Sequence, residues 1–143
     1  MANAREVSDR YTDLVNAHDA EAIGALFAED GVFSDPSGEY RGPEAVIPYW
    51  EGFFKAFPDM TARDEFKAES GDTAINEWSF SGTNEGPLET PEGTLPATGK
   101  RLTIRGCDAI TVRDGRITSH RAYFDQLAFM TQLGLVPPTA AAE

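Results

Sequence analysis

The sequence predicts one α+β domain in which three helices come first and an antiparallel sheet comes after them. Three observations support this. Apolar residues recur at helical spacing in residues 3–57, strand-like alternation dominates after residue 60, and an Asp-Gly pair joins two runs rich in β-branched residues. The 143 residues suit a single domain with a sizeable core. We place that domain at residues 1–136 and expect a flexible C-terminal tail at 137–143.

Helical patterns occupy the N-terminal third of the chain. Residues 3–17 form the first predicted helix, and Asp19 is a natural N-cap for the second, at 20–28. The third begins at Gly42-Pro43 and runs to about Phe57, since proline is favoured at the first helical position. Pro48 lies inside it and predicts a kink or a later start.

Strands account for most of the remaining chain. We predict a short strand at 32–35 and longer strands at 60–69 and 73–84. Residues 85–99 hold three prolines and three glycines, and loops of this length are often lids or binding loops. A short helix at 126–133 closes the domain, with Gly134 as its C-cap.

The strongest local signal is the hairpin around Asp114-Gly115. A two-residue type I′ turn there fixes the pairing of the flanking strands and sets Asp108 opposite Arg121. Because side chains alternate between faces, the more apolar face also carries Tyr123 and Asp125, and we take it as the inner face. His120 then lies on the outer face, at a dimer contact. A bulge in either strand would exchange the faces beyond it.

Charge and composition exclude several partners. The chain has 24 acidic and 12 basic residues, a formal charge of −12, and no basic stripe that could meet phosphates. We therefore expect no nucleic acid and no membrane partner. No apolar run reaches the length of a membrane span, and no signal-peptide pattern is present. The single cysteine, Cys107, fits a reducing compartment, so we expect a cytoplasmic protein.

Three short motifs carry a family resemblance. Pro96-Ala-Thr98-Gly99-Lys100, Val112-Arg-Asp114-Gly115-Arg-Ile117 and Gln132-Leu133-Gly134, with the order of elements, resemble the SnoaL-like polyketide cyclases. These belong to the superfamily of nuclear transport factor 2 and ketosteroid isomerase. The resemblance implies a cone-shaped α+β barrel: three N-terminal helices packed in a strongly curved antiparallel or mixed sheet, with a short C-terminal helix. It also implies a deep pocket and a homodimer formed through the outer sheet face.

The match fails at the cyclase acid/base pair. The cyclases carry an aspartate on the last long strand and a histidine on the partner strand. With the Asp-Gly turns aligned, these positions fall on Ala122 and Asp108. The aldol cyclase chemistry therefore cannot be transferred to those positions. Asp35 and Asp125 match the broader pattern as pocket-lining positions.

Proton transfer next to a carbonyl needs a carboxylate in a largely apolar pocket and a donor for the enolate. Asp125, Asp108 and Asp35 are the candidate bases, and Tyr123 or Arg121 is the candidate donor. Each aspartate has a structural alternative. Asp108 could form an ion pair with Arg121, Asp125 could cap the last helix, and Asp35 could stabilise a turn.

Aromatic residues and one amide complete the predicted site. The aromatic side chains could line a pocket for a flat ligand or could form ordinary core. Asn84 stands near a position where relatives often have a histidine and offers only hydrogen bonding. The expected substrate-binding set is Asp35, Trp50, Phe54, Trp78, Phe80 and Asn84, with Phe53 a further possible wall.

We expect no metal and no cofactor, because the two histidines lie far from any carboxylate cluster at ligand spacing and no phosphate loop opens a helix. The favoured function is cofactor-free isomerisation, cyclisation or dehydration of a small hydrophobic carbonyl compound, polyketide- or steroid-like, in a central cavity. The first alternative is a non-catalytic ligand-binding or accessory dimer. The second is a bare scaffold whose cavity is filled by its own aromatic residues.

Overall fold

The computed structural model describes residues 1–90 and 92–135, and the predicted tail at 137–143 lies outside them. The described elements, in chain order, are α1 (Ala4–Asn16), α2 (Ala20–Ala25), β1 (Phe27–Asp35), β2 (Gly38–Arg41), α3 (Pro43–Ala56), β3 (Thr61–Ser70), β4 (Thr73–Thr83), β5 (Leu88–Thr90), β6 (Gly93–Leu95), β7 (Arg101–Arg113), β8 (Arg116–Phe124) and α4 (Gln126–Gln132).

The main sheet has six strands in the order β2-β1-β8-β7-β4-β3, and β5 pairs with β6 in a separate two-stranded sheet. All neighbours in the main sheet are antiparallel except β1 and β8, which run parallel. The sheet is curved and mixed but not closed, and α1 packs against β3, β4 and β7. The predicted α+β class with a cone-like sheet is confirmed.

Local capping chemistry sets the helix ends largely as predicted. The Asp19 side chain accepts a hydrogen bond from the Ala22 amide at the start of α2, and Gly134 has a φ of 74° just after α4. Helix α3 starts at Pro43 and continues through Pro48, so the later start suggested by Pro48 does not occur.

Strand β1 begins five residues earlier than predicted, at Phe27 instead of Val32. Phe27 has the spacing of a helical residue, but its backbone pairs with Ile117 of β8. Tertiary pairing therefore overrides the local helical pattern at this point. Strand β2 and the small β5–β6 hairpin were not predicted.

A β-bulge in β8 overturns the predicted register of the long hairpin. The turn itself is as expected, since Asp114 and Gly115 both have positive φ, 53° and 77°. Val112 pairs with Ile117, but Thr111 pairs with Ser119, so Thr118 is an extra residue. The faces of β8 therefore exchange beyond the bulge.

The predicted pairing of Asp108 with Arg121 is consequently wrong. Asp108 pairs with Ala122, and Ala109 is the residue opposite Arg121. His120 lies on the inner face, buried, and not at an outer dimer contact as expected. Tyr123 moves to the outer face, where it is 58% exposed.

Within the described residues, no helix is long and apolar enough to cross a membrane. The same residues contain no group of three or more His, Cys, Asp or Glu side chains placed to hold a metal ion.

Candidate active site

A chamber of about 90 Å³ lies between α1, α3 and the inner face of the sheet. This is several times the volume that a single water molecule needs. Its walls are aromatic and acidic: Tyr11, Thr12, Val15, Phe33, Asp35, Tyr49, Trp50, Phe53, Met60, Ala62, Asp64, Trp78, Phe80, Asp108, His120, Ala122 and Phe124. Because the aromatic side chains line this space without filling it, the bare-scaffold alternative loses support.

A wider groove of about 450 Å³ adjoins the chamber. Asp35, Tyr49, Phe53 and Phe124 line both spaces, so they form the boundary between them. Residues 88–90, in the segment predicted to be a lid or binding loop, line the groove.

The central feature of the chamber is a pair formed by Asp108 of β7 and His120 of β8. His120 Nε2 lies 2.8 Å from Asp108 Oδ2. Since an ionised carboxylate can only accept, Nε2 carries the hydrogen, and in the neutral form of the ring Nδ1 presents a lone pair. His120 Nδ1 is buried and has no hydrogen-bond partner in residues 1–90 and 92–135.

Asn76 of β4 holds the other oxygen of Asp108. The Asn76 amide nitrogen donates to Asp108 Oδ1 at 2.8 Å and to Ser8 Oγ at 2.9 Å. Its oxygen accepts from Arg5 Nη1 at 2.8 Å. Asn76 is 2% exposed, so this chain of hydrogen bonds fixes the carboxylate from inside the protein.

Tyr11 of α1 lies against the His120 ring, with ring centroids 4.9 Å apart. Its hydroxyl oxygen accepts a hydrogen bond from Trp50 Nε1 at 2.9 Å. Burial raises the pKa of the Tyr11 phenol well above its usual value, although the bond from Trp50 opposes that shift. The phenol therefore stays protonated at neutral pH. In the described part of the chain its own hydrogen has no acceptor.

Asp35 lies at the end of β1, at the boundary of the two spaces. One oxygen accepts from the Ser37 amide at 2.7 Å and the Ser37 hydroxyl at 2.6 Å, as a turn residue would. The other accepts from the Tyr49 hydroxyl at 2.7 Å. Burial, reinforced by the Asp35 charge, raises the pKa of Tyr49 well above its usual value. Asp35 is therefore both a turn residue and a lining residue.

Asp64 of β3 is a further carboxylate on the chamber wall. It lies at a bulge between Asp64 and Phe66, and it accepts a hydrogen bond from Thr12 Oγ1 at 2.9 Å. Burial raises the pKa of Asp64, while the bond from Thr12 partly opposes the shift.

Three predicted catalytic side chains lie away from the chamber. Arg121 is exposed on the outer face and donates to Ser119 Oγ at 2.9 Å on its own strand. Tyr123 shares that face because of the bulge in β8. Asp125 is exposed, lines neither space, and accepts from the Ala128 amide at the start of α4. The capping alternative for Asp125 is confirmed.

Among the expected substrate-binding residues, Trp50, Trp78 and Phe80 line the chamber, with Asp35. Phe54 and Asn84 line neither space. Phe54 stacks on His18 with ring centroids 4.5 Å apart. Asn84 is fully buried and bonds the backbone around residues 56, 86 and 98, so it fixes a loop.

The sequence patterns do not mark Tyr11, Tyr49, Asp64 or Asn76 as site residues, and they predict His120 on the outer face of the sheet. Tyr11 fits the apolar stripe of the first helix, and that pattern gives no sign of a second role. A bulge in β8 would exchange the faces of the strand and so bring His120 to the inner face. No residue near Thr118 marks such a bulge in the sequence.

Comparisons with known proteins agree with this fold. The sequence profile of the SnoaL-like domain matches residues 8–120. No curated protein sequence matches the chain significantly.

Solved structures resemble it over nearly their whole length. A candidate SnoaL-like polyketide cyclase from Jannaschia sp. CCS1 has a TM-score of 0.81 at 20% identity, covering 94% of this chain and 93% of that one. IdmH, a candidate polyketide cyclase from Streptomyces antibioticus, has a TM-score of 0.74 at 25% identity, covering 93% and 99%.

A third similar structure comes from Catenulispora acidiphila DSM 44928. It is a hypothetical protein with a ketosteroid isomerase-like fold, in complex with trimethylamine. Its TM-score is 0.77 at 19% identity, covering 94% of this chain and 96% of that one. The fold and the profile match over residues 8–120 agree, and the chain belongs to the SnoaL-like domain family.

Proposed function

We propose that this protein is a cofactor-free acid/base enzyme that isomerises, cyclises or dehydrates a small carbonyl compound. The observation that carries the proposal is His120, whose Nδ1 is buried and unpartnered within the described residues while Nε2 is held by Asp108. A neutral imidazole oriented by a carboxylate in a largely apolar space is well suited to general-base catalysis.

In the first step, His120 Nδ1 takes a proton from the carbon next to the carbonyl group. The C–H bond breaks, an N–H bond forms, and the electron pair moves to the carbonyl oxygen to give an enolate. The imidazolium that forms lies 2.8 Å from the Asp108 carboxylate, which stabilises its charge. Asn76 keeps that carboxylate oriented throughout.

Tyr11 is the donor placed to stabilise the enolate oxygen. Its hydroxyl hydrogen is uncommitted within the described residues, and the bond from Trp50 makes the phenol a stronger donor. His120 then returns the proton. Delivery to another carbon completes an isomerisation, and delivery to a departing hydroxyl group completes a dehydration. In a cyclisation, the enolate carbon attacks a second carbonyl group, whose oxygen takes the proton.

The pairing beyond the bulge in β8 supports this proposal despite the mismatch with the cyclase pattern. The resemblance implies an aspartate on the last long strand and a histidine on its partner strand. This chain has the two residue types on exchanged strands, with His120 on β8 and Asp108 on β7. The same pair of functional groups therefore meets inside the sheet in the reverse order.

The two spaces limit the substrate. The chamber of about 90 Å³ is too small for a whole steroid or polyketide skeleton. We propose that the reacting carbonyl end enters the chamber and that any larger remainder lies in the groove of about 450 Å³. Trimethylamine, which is bound in the similar structure from Catenulispora acidiphila, is small enough for a chamber of this volume.

The direct test is exchange of α-protons in deuterated water, followed by NMR, for a panel of small ketones and aldehydes. We expect the wild-type protein to accelerate exchange for some of them. His120→Ala should lose about 10²–10⁴-fold of that rate. Arg121→Ala, a matched change one residue away on the outer face, should retain it. Equal rates for His120→Ala and the wild type, or no exchange across the panel, would favour the non-catalytic ligand-binding alternative.

We also propose that the protein forms a homodimer through the outer sheet face. Phe66, Ile75 and Tyr123 project from β3, β4 and β8 on that face and are 56%, 39% and 58% exposed. The exposed Cys107 lies among them without a disulfide, which suits the cytoplasmic location that we propose. Analytical ultracentrifugation should show a dimer for the wild type and a monomer for Phe66→Glu/Tyr123→Glu. A wild-type monomer at high concentration would contradict this proposal.

A further inference from the structure

The charges on the chamber wall are all of one sign when His120 is neutral. Asp35, Asp64 and Asp108 line it, and the described lining residues include no lysine or arginine. Burying carboxylates is costly unless cations or hydrogen-bond donors compensate them. The hydrogen-bond donors and cations near each of the three carboxylates therefore show which carboxylate lacks a partner.

Two of the three carboxylates have several partners. Asp108 receives hydrogen bonds from His120 and Asn76, and Asp35 receives bonds from Ser37 and Tyr49.

Within the described residues, Asp64 accepts a hydrogen bond only from the Thr12 hydroxyl. The ammonium group of Lys67, the one cation that lowers the pKa of Asp64, is itself bonded to Asp9 at 2.9 Å. Burial outweighs these effects and raises the pKa of Asp64. Asp64 is thus the least compensated acid on the wall.

Aromatic rings form most of the remaining wall. Trp50 and Trp78 both line the chamber, together with Tyr11 and Phe33. The faces of such rings, those of tryptophan most strongly, attract ammonium groups, and this attraction increases where water is excluded. His120 Nδ1 adds a buried acceptor that is unpartnered in the described part of the chain and can receive an N–H donor.

We propose that the chamber binds a small organic ammonium cation, held by the Asp64 carboxylate and the tryptophan rings. The substrate of the proposed reaction is then a carbonyl compound that carries such a group. That second statement rests on the proposed function, whereas binding of the cation does not. Enolising a neutral ketone would create an enolate charge beside three carboxylates, with the imidazolium of His120 as the one positive charge formed in the same step. A cationic substrate offsets the enolate charge before the proton moves.

The test is a titration with tetramethylammonium chloride and with tert-butanol, its neutral counterpart of similar shape, followed by calorimetry and by NMR. We expect the cation to bind about tenfold more tightly than the alcohol, in line with a cation–π contribution. Asp64→Asn should reduce affinity for tetramethylammonium by about tenfold and leave tert-butanol unchanged. Asp13→Asn, the same change at an exposed position on α1, controls for net charge and should leave both affinities unchanged.

Equal affinities for the two probes, or equal losses in Asp64→Asn and Asp13→Asn, would overturn the inference. The titration needs no turnover, so the two proposals fail separately. If neutral ketones exchange their protons while the chamber shows no preference for the cation, the acid/base function stands and the ammonium site does not. If the cation binds through Asp64 and no exchange occurs, the site stands as a binding site and the enzyme proposal falls.

Discussion

At the scale of single residues, the chamber depends on a few side chains whose partners are all internal. Asn76 is the clearest case, because it donates to Asp108 and Ser8 and accepts from Arg5 while almost fully buried. The residue types alone did not reveal this. Asn76 alternates with Ile75 and Glu77 in an ordinary strand pattern, and nothing nearby in the sequence marks its long-range partners.

Asn76→Leu should therefore destabilise the protein by about 1–3 kcal/mol, because it leaves buried partners without their hydrogen bonds. Urea denaturation followed by fluorescence measures this change. Ser81→Ala on the same strand, whose hydroxyl bonds Thr103 in an exposed pair, is the control and should cost less than about 1 kcal/mol. Equal losses for the two variants would show that the network around Asp108 contributes little.

Tyr11→Phe should lower the rate of α-proton exchange by about 10²-fold or more, because the enolate loses its donor. The loss should appear in kcat more than in KM, since the hydrogen bond strengthens as negative charge develops. Tyr123→Phe removes the same hydroxyl group on the exposed outer face and should leave the rate unchanged. A Tyr11→Phe enzyme with the wild-type kcat would remove Tyr11 from the mechanism.

Asp64 should reduce stability at neutral pH. Its folded pKa lies above the usual value, so over that interval the folded state holds a proton that the unfolded state has released. Stability therefore falls as the pH rises through this range. Asp64→Asn should raise the Tm at pH 7, and the gain should shrink at pH values below the usual aspartate pKa. A gain of the same size at every pH would mean that burial of the charge is not its cause.

At the scale of elements, the sequence predicted what local chemistry determines. The cap at Asp19, the proline start of α3 and the Asp114-Gly115 turn each depend on the residues at that position, and each is observed. The start of β1 at Phe27 and the extra residue Thr118 depend on pairing with distant strands. One inserted residue changes no local pattern, yet it exchanges the faces of the strand that carries His120.

Deleting Thr118 should remove the bulge and leave the faces of β8 unchanged. Ile117 already pairs with Val112, and residues 119–124 already pair in regular register with residues 106–111, so without Thr118 the ladder is unbroken and His120 stays on the inner face. We expect the deletion variant to fold, as measured by circular dichroism, and to keep the contact between His120 and Asp108, as measured from the His120 ring signals in ¹H–¹⁵N NMR. Thr118→Val, which keeps the bulge, is the control. A deletion variant in which His120 is exposed to solvent would contradict the assigned role of Thr118 as the one extra residue of the hairpin.

At the scale of the whole molecule, the helices cover one face of the sheet and the chamber lies beneath them. A net charge of −12 surrounds a space whose own wall carries three carboxylates, so the field of the protein favours cations over anions. The opposite face of the sheet presents exposed apolar side chains, which suits a second copy of the chain. The family resemblance correctly predicted the curved α+β fold, whereas the acid/base pair that we propose could be identified only from the three-dimensional register.

The most direct test of the central claim is the protonation state of the His120 ring, measured by long-range ¹H–¹⁵N NMR at neutral pH. The chain has two histidines, so a His18→Gln variant assigns the signals. We predict a proton on Nε2, directed at Asp108, and a bare Nδ1 available to take a proton from substrate. A proton resident on Nδ1 at neutral pH would contradict the assignment of His120 as the general base.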